Sequence, residues 1–170
     1  MHQIIRVIVY AKDKGAALKR AKSILNILLQ NNTFDYYVTF DDNTSTIAGR
    51  GRWGDISPVV PIHSVEGIKL VKDGWNATIE DFMNYLFKLR KTMKYKSDIK
   101  LMNDRNFRFY AYEVGKYAGS AVWLYDDNSE GIRTIDHLKN AVNKWKFLND
   151  SNSQKREKLK VWIVPADIHV

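Results

Sequence analysis

The feature that most limits the fold is the run Ile4-Ile5-Arg6-Val7-Ile8-Val9-Tyr10. It is β-branched and almost free of polar alternation, so as a strand it is apolar on both faces and needs cover on both. A sheet with one wet face does not meet that demand; helices packed against a central strand do. Asp13 is placed to cap a helix over about Lys14 to Asn31. Ala17, Ala21, Ile24, Leu25 and Leu28 fall on one side of it. Asn31-Asn32 closes it, because Asn tolerates the left-handed conformation. Phe34 to Phe40 reads as a second strand, so the chain opens β-α-β, with a right-handed crossover if both strands share a sheet.

From about 41 to 74 the periodicity fails. Asp41 to Thr46 is turn chemistry, Gly49, Gly51 and Gly54 punctuate a basic stretch, and Pro58 and Pro61 exclude a helix or a central strand. Ser64 to Val71 has room for one or two helical turns. Thr78 to about Lys96 then carries Ile79, Phe82, Met83, Leu86, Leu89 and Met93 as one apolar stripe, with Thr78 and Asp81 resembling a capping box. Phe107–Tyr112 and Ser120–Tyr125 read as two strands of a hairpin around Gly115 to Gly119. A helix over about Thr134 to Leu148 follows, with Ile135, Leu138, Val142 and Trp145 on one face. A polar loop over 149–158 leads to a last strand at Leu159–Val164, ended by Pro165. The expectation is a single α+β or α/β domain over 1–170 with a mixed five-stranded sheet packed with helices. Its order is β-α-β-(insertion)-α-β-β-α-β, close to a ferredoxin-like plan with an extra helix.

With 170 residues the chain buries a core without cross-links, and its zero cysteines exclude disulfides, thiolate zinc, iron–sulfur clusters and a cysteine nucleophile. The N-terminal stretch is too short and charged for a signal peptide, and the apolar patch Ile24–Leu29 is too short to span a bilayer. A cytoplasmic protein without membrane contact is the expectation. Lys and Arg number 27 against 19 Asp and Glu, a formal charge of +8 that favours anionic partners.

Three features bear on function. Between Asn84 and Tyr110 stand Lys88, Arg90, Lys91, Lys94, Lys96, Lys100, Arg105 and Arg108, opposed by Asp98 and Asp104 alone. Tyr85, Tyr95, Phe107 and Tyr110 are interleaved with them. Cations for phosphates and ring faces for bases are what sequence-independent nucleic-acid binding requires; a solvated helix face with its aromatics in the core explains the same pattern. The second feature is Arg50-Gly51-Arg52-Trp53-Gly54-Asp55, which with Arg133 offers guanidinium groups to a phosphate or carboxylate. It lacks the Gly-Lys-Ser/Thr of a P-loop and the three glycines of a dinucleotide fingerprint, and a folded-back loop pinned by Trp53 is the plain alternative. The third is a set of acidic strand ends: Asp126, Asp127, Asp167 and His169 are adequate divalent-metal ligands if the ends converge, and otherwise turn formers and caps. His63 and His137 fit no zinc-protease pattern, and no nucleophile elbow is present.

Phe34-Asp35-Tyr36-Tyr37, Arg52-Trp53-Gly54-Asp55, Leu124-Tyr125-Asp126-Asp127, Ile132-Arg133 and Val164-Pro165-Ala166-Asp167-Ile168-His169 resemble stretches of small archaeal and archaeal-virus proteins of unknown function. The resemblance implies an intracellular archaeal setting and carries no activity over to this chain. Three readings stand on the residues. The first is a basic module binding nucleic acid or another polyanion, with no cofactor. The second is a metal-assisted phosphodiesterase or hydrolase using a divalent ion. The third is a homo-oligomeric interaction protein without catalysis.

Overall fold

The computed structural model describes residues 1–118, 122–150 and 158–170. β1 (His2–Ala11) and β5 (Lys160–His169) pair antiparallel along their whole length, His2 opposite His169 and Ala11 opposite Lys160. β2 (Tyr36–Thr39) lies antiparallel on the far side of β5, and β4 (Leu124–Tyr125) lies parallel to β1. The order is β2-β5-β1-β4, and β3 (Val60–Pro61) also pairs with β5. The sheet is therefore mixed and five-stranded, as the sequence implied, with β5 inserted between β1 and β2.

Both faces of β1 are covered. Ile5, Val7, Val9, Val164, Ala166 and Ile168 pack on Ala17, Ala21, Ile24, Leu25 and Leu28 of α1 (Lys14–Gln30). Asp13 caps that helix through the Ala16 N–H at 2.8 Å. On the other face Ile8, Val161 and Ile163 meet Leu70 of α3 (Val65–Lys94) and Ala141 of α6 (Ile135–Asp150). No helix among the described residues is long and apolar enough to cross a membrane.

Several elements differ from the sequence reading. α3 starts at Val65, capped by Ser64, whose Oγ accepts the Gly67 N–H at 3.0 Å; Thr78 is an interior residue and not a cap. The Gly74–Ala77 stretch that hides this continuity is a contact seam. Gly67, Leu70, Gly74 and Thr78 are the buried residues of α3, and Thr78 Oγ1 accepts the Trp123 N–H at 3.0 Å. Phe107–Tyr112, expected as a strand, lies in α5 (Arg105–Ala118). Its short apolar alternation yields to a helical stripe of Phe107, Tyr110, Val114 and Tyr117, and Asp104 accepts the Phe107 N–H at 2.8 Å to start the helix. Gly115 is thus helical and no hairpin forms there; the end of the expected turn, 119, and the start of the expected second strand, 120–121, lie outside the described residues, as do 151–157 of the polar loop.

β5 runs through Pro165 instead of ending at it. The Arg6 N–H points to the Trp123 carbonyl at 3.0 Å, away from β5, so Pro165 opposite it directs its own nitrogen to the β2/β3 edge. There β2 ends opposite Ala166 and β3 begins opposite Ile163. The missing donor falls in the gap between them. The insertion is accordingly an excursion from one edge: the chain leaves after β2, forms the single turn α2 (Arg50–Trp53), and rejoins the same edge as β3.

Candidate functional sites: a helical arm and two polar clusters

α3 spans 30 residues, about 45 Å at the helical rise, and only its first half lies on the sheet. The second half pairs with α5 through α4 (Asp98–Met102) to make an arm. Tyr85 packs edge-on to Phe109 at 6.0 Å, and Phe82 meets Tyr117 at 6.1 Å. From Ile79 to Lys116 Glu113 is the one buried residue, so the arm has no dry core. Phe87, Tyr95, Phe109 and Tyr112 are each more than half exposed.

The arm holds every member of the basic strip. Arg90, Lys91, Lys94, Lys100, Arg105 and Arg108 are exposed and form no ion pair among the described residues. Lys96 bonds Asp104 and holds that carboxyl below its usual range, helped by the Phe107 N–H. Lys88 lies over the Tyr85 and Tyr110 rings at 5.3 and 5.9 Å. Of the aromatics read as stacking candidates, Tyr95 is exposed with Lys94 over its ring at 5.6 Å, while Tyr85, Phe107 and Tyr110 are half-buried between the helices.

The acidic strand ends do not converge. β4 is parallel to β1 and β5 antiparallel, so their C-terminal ends lie at opposite ends of the sheet. Asp167 pairs with Ile4 and His169 with His2, whereas Asp127 reaches the Tyr10 N–H at 3.5 Å, six residues or about 20 Å along β1. Asp126, Asp127, Asp167 and His169 therefore make no common metal site. Asp127 is engaged by Arg20, whose Nε and Nη2 donate at 3.1 and 3.0 Å.

Asp126 instead belongs with two residues that its sequence position does not suggest. Its Oδ2 lies 3.1 Å from His137 Nε2, and its Oδ1 accepts the Asn128 and Glu130 N–H groups at 2.9 Å each. One ligand atom from each of Asp126, Glu130 and His137 lies within 4.8 Å of the others. Glu130, His137 and Arg133 line a cleft of about 610 Å³ beside them. Arg133 is thereby at the β4 edge, across the sheet from the loop with which it was grouped.

At the β2 edge, the Arg50–Asp55 turn is pinned by its glycines. A Cβ on Gly51 would stand 2.5 Å from the Thr46 carbonyl, and Gly49 has φ of +55°. Arg50 pairs with Asp55 at 3.3 Å and donates to Asn43 at 3.0 Å, while its Nε is buried without a partner. Trp53 is 37% exposed, with Arg52 over its ring at 5.9 Å, so it does not anchor the loop.

The anchor is Asp167, fully buried, which accepts the Gly49 N–H at 2.8 Å. His2 Nδ1 lies 3.1 Å from both of its oxygens, and the Tyr36 hydroxyl lies 3.1 Å from His2 Nε2. Tyr36 stacks on His169 at 5.3 Å with 4° between the rings, and His169 Nδ1 meets Asp35 at 3.0 Å. Strand register alone assembles this cluster, which is why the sequence does not reveal it: His2, Asp167, His169 and Tyr36 come from three strands and share one face.

No curated protein and no solved structure matches the chain. A family profile covers all of it, and by that match over residues 1–170 the chain belongs to the family described as Domain of unknown function (DUF7995).

Proposed function

We propose that this is a cytoplasmic polyanion-binding domain whose helical arm contacts the phosphates of a nucleic-acid strand. The carrying observation is the arm's lack of a dry core together with six exposed cations on it that form no ion pair among the described residues. A solvated face needs no such concentration of one sign, and the exposed Phe87, Tyr95, Phe109 and Tyr112 give bases something to stack on. Six phosphate contacts correspond to a slope of log K against log salt of about −4 for a single strand. Fluorescence anisotropy with single-stranded DNA, duplex DNA and RNA over a salt series measures it. Arg90→Glu/Lys91→Glu/Lys94→Glu is expected to weaken binding at least about tenfold and to flatten the slope by about 2. An absence of binding at low salt, or an unchanged slope in the triple variant, rejects the reading.

A second reading rests on the Asp126, Glu130 and His137 cluster, whose oxygen and imidazole donors suit Mn²⁺ or Zn²⁺. With Arg133 on the same cleft, an ion there would serve metal-assisted hydrolysis of a phosphate ester. Calorimetric titration with each ion should show one site, lost in His137→Ala; heat that persists in that variant counts against it.

A further inference from the structure

We propose that Tyr36 is a nucleophile activated by the His2–Asp167 pair, acting on a phosphodiester. The hydrogen bonds order the groups. With Nδ1–H donating to the Asp167 carboxylate, His2 Nε2 carries the lone pair and accepts the Tyr36 O–H at 3.1 Å. Nucleophile, base and orienting carboxylate thus lie in line within hydrogen-bond reach. Their burial runs outward in the same order. Asp167 is fully buried, the His2 side chain is 12% exposed and Tyr36 is 38% exposed. A buried carboxylate is already satisfied by the Gly49 N–H and the imidazole, so folding does not require a phenol on the outer nitrogen. The stacked His169 ring holds the Tyr36 ring in place.

The chemistry balances with water as its one further reactant. His2 Nε2 takes the phenolic proton as Tyr36 Oη bonds to phosphorus. The bond from phosphorus to the leaving oxygen breaks with its electron pair, and the imidazolium returns the proton to that oxygen. A water deprotonated by His2 then attacks phosphorus, the bond from phosphorus to Tyr36 Oη breaks with its electron pair, and the imidazolium returns the proton to the phenolate. Asp167 is a positioning residue that holds the imidazole in the required tautomer. α2 begins one residue after Gly49, whose N–H donates to that carboxylate, so the exposed Arg52 is carried on a turn anchored at the cluster and offers a positive charge to an anionic substrate, while Arg50 is paired with Asp55.

The substrate class rests on the polyanion reading above, but the probe, bis(p-nitrophenyl) phosphate, is small enough to need none of the arm's cations. The expected result is a burst of p-nitrophenolate approaching one per chain, with a mass gain of one nitrophenyl phosphate mapped to Tyr36 among nine tyrosines. Tyr36→Phe, which removes only the hydroxyl, should abolish both. His2→Ala should slow the burst by about 10²- to 10⁴-fold, and added imidazole should restore part of it, which a purely structural role would not allow. Asp167→Asn should lower the burst rate while leaving its dependence on probe concentration unchanged. The proposal is overturned if the native protein gives neither burst nor adduct, or if Tyr36→Phe keeps them. Strand binding without burst or adduct in the native protein overturns this proposal alone, and burst with adduct but no strand binding overturns the arm reading alone.

Discussion

Three tyrosines show how burial controls a single side chain. Burial pushes the Tyr125 hydroxyl up to about 12. It raises Tyr10 further, with Asp127 and Asp126 adding to the effect, and Tyr117 likewise, with Asp81 beside it. Tyr10 also donates to the Ala141 carbonyl, tying β1 to α6. In the unfolded chain each ionises near 10, so above that pH the unfolded state loses protons that the folded state keeps. Stability supplied by the protonated phenols is complete below pH 10 and is lost as pH rises toward about 12. Phenolate absorbance should therefore rise in two stages, the later one together with loss of helical circular dichroism. In urea all nine tyrosines should titrate in one stage, and a single stage in native buffer would contradict the burial of these three.

At the scale of the element, α3 is fixed by what its glycines allow. A Cβ at Gly67 would stand 2.2 Å from the Pro61 carbonyl and 2.8 Å from that of Ile62, both backbone atoms of the β3 edge. Gly67→Ala should thus push the helix off the sheet at a cost of about 1–3 kcal/mol. Gly115 in α5 has nothing within 4 Å of such a Cβ, so Gly115→Ala should stabilise by about 0.5–1 kcal/mol. Urea unfolding midpoints of the two variants should move in opposite directions. The same elements show what a sequence can reveal. β1 and α1 were legible because unbroken β-branching and a clean helical face each admit one reading. Phe107–Tyr112 was not, because six residues of apolar and basic alternation fit both periods and only the partner helix decides. Gly74 looked like an interruption because its reason, the closeness of Arg6 and Trp123, comes from other elements. The basic strip was readable as local composition, and Asp126 as a strand end. His137 reaches Asp126 from α6, and His2 meets Tyr36 across the intervening β5, and neither approach leaves a trace in local spacing.

The whole molecule divides into a dry part and a wet part. The sheet between α1 on one face and α3 with α6 on the other holds nearly all the fully buried apolar residues, while the arm is an amphipathic pair stabilised by half-buried rings. Arg6 marks the border. It is buried under α3, its Nε has no partner, and burial lowers its guanidinium to about 10 against the pull of Asp73. The polar clusters are set apart on this frame, the phenol site at the β2 edge and the Asp126 cleft at the β4 edge. Arm residues approach both clusters: Tyr112 and Lys116 share a cavity with Asp35, and Phe82 and Tyr117 share one with Arg133. The broken β2/β3 edge has a further consequence. Two long apolar strands in a small chain are a template on which a second molecule can add its own strand. Here one border of the sheet is split by an excursion of some twenty residues and the other is two residues long, so neither offers a straight row of free donors and acceptors. Pro165 turns no donor toward that gap, so a strand laid there from another copy would find no N–H at that position.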